Sequence, residues 1–283
     1  VFIAPGNHDP YRAGLPYAAL DWPENVHIFT SRTIECVALP EWNTAVYGAA
    51  FTESAQEESL LADFCAPDDG MTHLMVLHGE LAAGASRYDP ITKEQIAGSG
   101  LDYLALGHTH QHDGVHHAGK TAYAYAGCPE GRGFDELGEK GILAGTVECG
   151  RAQMQFVPFA RRRYEALRVD VTGKSPEDAL RTALPQMTAR DIYRVVLTGE
   201  TDERGVDLER LEERFAPDFF YLEVRDETRI GADVWARAEE DSLRGMFLRT
   251  LREKYDAAQD DAERAQIDLA VRFGLAALDG RDM

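Results

Sequence analysis

Cysteine is scarce in this chain: four in 283 residues, with no two of Cys36, Cys65, Cys128 and Cys149 close in sequence. That spacing fits neither a zinc clip nor a disulfide framework. The thiols are expected to be small packing groups in a reducing cytoplasm. Long apolar runs are also missing. None approaches the ~18 residues of a membrane span, so no membrane partner is expected. The first residues lack the basic region, apolar core and cleavage site of a signal peptide. No internal repeat or long low-complexity segment is present. Positive charge is in short supply: 29 Lys and Arg face 49 Asp and Glu, a formal net charge of −20. Such a surface repels polyanions at long range. A nucleic-acid role must therefore rest on a local positive groove, on bound metal or on a partner subunit.

Hydrophobic residues make up 44% of the chain, enough for an ordinary core, and the length suits one large or two modest domains. Three apolar runs each stop at a polar group. Phe2 to Pro5 leads into Gly6-Asn7-His8-Asp9, Leu74 to Leu77 into His78, and Tyr103 to Leu106 into Gly107-His108-Thr109-His110. Strand ends in an α/β sheet are where sites are built. Asn oxygen and neutral imidazole are ligands for borderline divalent metals. With Thr109 as spacer, His108 and His110 can lie on the same side of an extended segment. The spacing thus marks Asn7, His78, His108 and His110 as candidate metal ligands.

Up to about residue 158 the pattern is that of a layered α/β domain. Val26 to Thr30, Ile34 to Leu39, Ala45 to Ala50 and Leu101 to Leu106 read as strands, and Ser54 to Cys65 as a helix. Thr92 to Ser99 reads as a short helix with Thr92 as cap. Thr121 to Ala126, Lys140 to Glu148 and Ala152 to Pro158 read as later antiparallel strands. A break follows at Pro158 to Arg163. Residues 159 to 230 then suggest a small α+β domain. Tyr164 to Val171, Ile192 to Thr198 and Phe219 to Val224 are its strands. Its helices start at Ser175-Pro176 and run from Asp207 to Phe215. From 231 to 283 the pattern is helical. Leu243, Phe247 and Leu251 form one apolar stripe, and Ile267, Val271, Leu275 and Leu278 another. These helices pack on their own protein or dock a partner helix.

The three motifs, in their order and spacing, resemble the calcineurin-like metallophosphoesterase superfamily. The loop Gly127-Cys128-Pro129-Glu130-Gly131-Arg132-Gly133-Phe134-Asp135-Glu136 and the stretch from Tyr193 to Arg229 are similar to its DNA-repair exonuclease branch, the SbcD-like and YhaO-like type. The resemblance implies a metallophosphoesterase β-sandwich flanked by helices, an accessory domain over 159 to 230 and C-terminal helices. It implies two divalent ions, Mn²⁺ first, with Fe²⁺, Co²⁺ or Zn²⁺ also compatible. Asn7, His78 and His108 would bind the second ion and His110 the first. His8 would face the scissile phosphate and assist the leaving oxygen, with Asp9 orienting it. Arg132 grips a phosphate or pairs with Asp135 or Glu136.

The family also carries Asp-x-His and Gly-Asp motifs upstream, whereas only Val1 to Pro5 precede the first motif here. The expectation is an N-terminally truncated version of a longer chain. On the order of 60 residues, two βα units, would be missing, leaving one metal bound weakly and little or no hydrolysis. The implied function is metal-dependent phosphodiester hydrolysis of DNA, as the nuclease subunit of a repair complex. Its partners would be DNA, an SMC-like coiled-coil ATPase and a second copy in a homodimer. The alternatives are a metallophosphoesterase for a small phosphoester or cyclic nucleotide, and a non-catalytic scaffold that binds the ATPase.

Overall fold

A computed structural model describes residues 1–280. The chain forms two compact units. One comprises Val1–Gly131 and Glu139–Ala160; the other comprises Arg132–Gly138 and the chain from Arg161 onward.

The strands of the first unit are β1 (Phe2–Ile3), β2 (His27–Ile28), β3 (Glu35–Leu39), β4 (Thr44–Gly48), β5 (Thr72–His78), β6 (Glu80–Leu81), β7 (Pro90–Ile91), β8 (Tyr103–Gly107), β9 (His116–Ala118), β10 (Thr121–Tyr125), β11 (Gly141–Glu148) and β12 (Arg151–Pro158). Its helices are α1 (Pro16–Ala19) and α2 (Lys93–Gly98). Six strands make a mixed sheet in the order β3-β4-β5-β8-β10-β9. The inner four are parallel, and β3 and β9 close the edges antiparallel. Covered on both faces, inner parallel strands read as nearly unbroken apolar runs. Met75, Leu77, Leu104 and Leu106 are buried in one cluster with Leu61, Ile96, Tyr123 and Tyr125. Separate two-stranded pairings join β1 to β2, β6 to β7 and β11 to β12.

Thr92 caps α2 as expected, accepting from the Gln95 amide while the Gln95 side chain returns to the Thr92 amide. Two expectations are corrected. Ser54 to Cys65 is not a helix. The Gln56 amide donates to Arg87 O at 2.8 Å, the Asp89 amide donates to Gln56 O at 2.6 Å, and the Leu60 amide donates to the Asp89 carboxylate at 2.7 Å. These long-range bonds take the amides and carbonyls that a helix would have paired locally, while Leu61 stays buried. The strand at Thr121 is not antiparallel to its inner neighbour: β10 runs parallel to β8, Ala122 opposite Tyr103, and only β9 opposes it.

The second unit contains β13 (Tyr164–Asp170), α3 (Pro176–Ala183), β14 (Ile192–Thr198), β15 (Glu200–Thr201), α4 (Leu208–Phe215), β16 (Tyr221–Asp226), β17 (Arg229–Ile230), α5 (Ala232–Ala236), α6 (Leu243–Ala257) and α7 (Asp261–Leu278). Ser175 and Asp207 cap α3 and α4. Each of these helices returns the chain to the sheet's start, so β13, β14 and β16 all run parallel. The expected α+β domain is therefore a parallel β-α-β-α-β layer. The C-terminal helices, expected as a segment of their own, lie in this same unit. Arg272 of α7 donates to Asp226 Oδ2 at 2.9 Å, Thr228 Oγ1 at 2.8 Å and Thr201 Oγ1 at 3.0 Å. Val271 and Leu275 are buried with Ile230, Val234, Trp235 and Leu248. The whole is mixed α/β, as the sequence implied.

Candidate metal centre

Parallel pairing of β5 with β8 places His78 opposite Gly107, so His78 and His108 leave the same end of the sheet. Their rings meet edge to face, with centroids 5.2 Å apart. The first motif reaches the same place by another route. Phe51, just past β4, donates its amide to Pro5 O at 3.0 Å, and Tyr11 donates to Phe51 O at 2.7 Å. The turn between them is thereby tied to the sheet. Its Asn7 is buried, and Asn7 Oδ1 lies 2.8 Å from His78 Nε2.

Glycine allows this approach. A Cβ on Gly6 would stand 2.5 Å from His78 Nδ1, and one on Gly107 would stand 3.3 Å away. The motif glycines thus leave room for the ring between them. His108 has φ of 113°, a left-handed conformation that costs a non-glycine residue about 1–3 kcal/mol. Tyr88 packs on the His108 ring at 4.9 Å, and Phe51 packs edge to face on His78 at 5.1 Å.

Burial favours the neutral form of both rings. Burial pulls the His78 imidazole down to about 4, and His108 nearby adds to it; His8 and His110 act in the same sense and Asp9 against it. Burial also lowers His108, with Glu80 opposing and His110 and His8 assisting. A neutral imidazole has a lone pair for a cation. Among the described residues, no three or more His, Cys, Asp or Glu side chains are grouped to hold a metal. Asn7 Oδ1 and His78 Nε2 meet, and the His108 ring stands edge to face beside His78; an amide oxygen and two imidazoles are donor types suited to a borderline divalent ion. On donor chemistry, Asn7, His78 and His108 fit one such ion.

The other candidates are placed as follows. His110 is exposed, two residues beyond His108, and close enough to lower both other histidines. His8 is exposed on the turn beside Asn7. Asp9 accepts from the Gly6 amide at 3.1 Å and from the Tyr17 hydroxyl at 2.8 Å. It closes its own turn, and no bond to His8 is formed. Tyr17 is pushed up to about 12 by burial and by this carboxylate. Arg132 falls in the second unit, largely exposed, with its guanidinium 3.6 Å from Glu136.

Sequence reasoning missed Tyr88 and Asp89. Asp89 is fully buried. Its Oδ1 accepts from Leu60, its Oδ2 has no hydrogen-bond partner, and burial pushes the carboxyl up to about 7. A Cβ on Gly79, the residue after His78, would lie 3.0 Å from that second oxygen. The available signal was Tyr88-Asp89-Pro90, an aromatic and an acid set before a proline that starts a strand.

No family model matches the chain. Over 191 residues it is 33% identical to an uncharacterized metallophosphoesterase, YhaO, of Bacillus subtilis (strain 168), a match covering 64% of this chain and 45% of that protein. The chain therefore spans less than half the length of the curated relative it matches. The likeness supports the metallophosphoesterase superfamily, and the central mixed sheet with its helices is consistent with that fold.

Proposed function

We propose that this chain forms part of a metal-dependent phosphodiesterase acting on DNA, the nuclease subunit of a repair complex. The observation that carries the reading is the approach of Asn7 Oδ1 to His78 Nε2 at 2.8 Å, beside His108 at the carboxyl end of the parallel strands. Likeness to a metallophosphoesterase supports the phosphoester part. Two divalent ions, Mn²⁺ first, would supply a Lewis acid and an activated nucleophile when bound. Asn7, His78 and His108 would hold one ion, and His110 would serve the other. His8, free to project from its turn, would deliver a proton to the leaving oxygen. Arg132 would contact the phosphate backbone.

The charge of −20 favours a second reading, in which the same centre takes a small phosphoester or cyclic nucleotide. The C-terminal helices favour a docking role in either case. Leu243, Met246, Leu269 and Phe273 are all exposed on α6 and α7, and an SMC-like coiled-coil ATPase would be the partner.

Binding separates the two substrate classes. Fluorescence anisotropy of a labelled oligonucleotide should rise with this chain and Mn²⁺ together, and the rise should vanish in His78→Ala. Mn²⁺-dependent binding of a cyclic nucleotide without binding of DNA selects the small-substrate reading. Binding of neither contradicts the proposal.

A further inference from the structure

Lys140, just before β11, is 4% exposed. Lysine is almost never so buried without a purpose, because its ammonium must be stripped of water. Its Nζ donates to the backbone carbonyl of His110 at 3.2 Å and to Gln111 Oε1 at 2.8 Å. Both acceptors are neutral oxygens on the segment that carries the site histidines. The same carbonyl of His110 also receives the Cys128 thiol at 3.5 Å. Behind it passes Gly127, with φ of 78°. A Cβ there would stand 3.0 Å from His110 O and 3.1 Å from His112 N, so only glycine lets the two backbones come this close.

The lysine is itself fixed. Its own carbonyl accepts from the Phe159 and Ala160 amides, both at 3.1 Å, and the next amide, Gly141, donates to Cys128 O at 3.1 Å. A strap tied down by these bonds therefore presents a buried cation to the backbone of the His108–His110 segment. That segment holds strain at His108, and a strained backbone persists only where its surroundings over-determine it. Tyr88 and His78 pack against the His108 ring. Lys140 holds the carbonyl two residues further on.

We infer that Lys140 is a positioning residue: its ammonium clamps the carbonyl of His110 and keeps His108 and His110 in the conformation that receives a divalent cation. The metal part of this inference rests on the reading proposed above. The clamp itself does not, and the two fail separately. Groups that orient metal ligands from behind typically carry a 10–100-fold share of metal affinity.

The test uses the full chain with Lys140→Met and Lys140→Arg, and two readouts. Nitrogen-15 relaxation without metal should show the order parameters of residues 108–112 falling from about 0.85 to below about 0.6 in K140M, with β5 unchanged and K140R restoring most of the order. Mn²⁺ titration followed by electron paramagnetic resonance should show about tenfold weaker binding in K140M, again recovered in K140R. Wild-type order at 108–112 overturns the clamp, and unaltered Mn²⁺ affinity overturns its part in metal binding. If wild type binds no Mn²⁺, the proposed function fails and relaxation alone decides the clamp. If K140M loosens the whole chain, Gln111→Ala decides it, since it removes one acceptor at an exposed position. Added motion confined to 108–112 supports the clamp, and unchanged order there contradicts it.

Discussion

At the scale of single residues, His78 shows how much depends on a missing Cβ. Gly6→Ala would drive its methyl to within 2.5 Å of the His78 ring, so the imidazole must move away from Asn7. We predict at least tenfold weaker Mn²⁺ binding in that variant, as for other disturbances around a metal ligand, measured by isothermal titration. Asp89 gives a second prediction, in pH. Its carboxyl is raised to about 7 in the folded chain from an ordinary 3.8, so the folded state binds the proton more tightly. The associated stability is whole below pH 4 and is lost as pH rises through 7. The penalty at pH 8 is on the order of 4 kcal/mol at most. Asp89→Asn should therefore gain stability relative to wild type between pH 5 and pH 8, read from urea unfolding at the two values. A constant difference between the two proteins would refute the assignment. The candidate ligands Asn7, His78, His108 and His110 were legible because glycine-marked apolar runs end on them. Lys140 and Asp89 were not, because their importance comes from what the fold brings against them.

At the scale of elements, local signals held where the deciding contacts are local. Thr92, Ser175 and Asp207 announce α2, α3 and α4 by capping, a matter of three or four residues. The stretch from Ser54 to Cys65 has helical spacing, yet Arg87 and Asp89, about thirty residues away, take its hydrogen bonds. The parallel pairing of β10 with β8 was equally hidden, since strand direction is set by the path between strands. In the second unit, α7 is held to the strand ends by Arg272, which is 9% exposed, bonded to Asp226, and next to Asp268, which is 3% exposed. Removing one partner of a buried charge network costs about 3–5 kcal/mol. Arg272→Met should destabilise this unit by about that amount, with hydrogen exchange in α7 rising first. A variant as stable as wild type would show that apolar packing around Val271 and Leu275 suffices.

At the scale of the whole molecule, the −20 charge constrains any contact with DNA. A chain with so few basic residues can neutralise few phosphates, so little counterion release is available. The predicted dependence of DNA affinity on salt is shallow, with a log–log slope no steeper than about −4, and Mn²⁺ should raise the affinity. A slope near −8 would contradict this and reveal a basic groove. The division into a sheet-based first unit and a βαβαβ second unit followed by helices could be seen as a change in pattern near residue 158. That residues 132–138 cross into the second unit, and that the last helices join it, depends on contacts no local pattern reports.

In the proposed function, Asn7, His78 and His108 face one cation. The most direct measurement is the nuclear magnetic resonance of the histidine ring carbons, assigned by substitution, during titration with Mn²⁺. We predict that the His78 and His108 signals broaden together at the lowest Mn²⁺ added, and that Asn7→Ala abolishes the effect on both. Broadening that spares these two rings, or that is indifferent to Asn7, would contradict it.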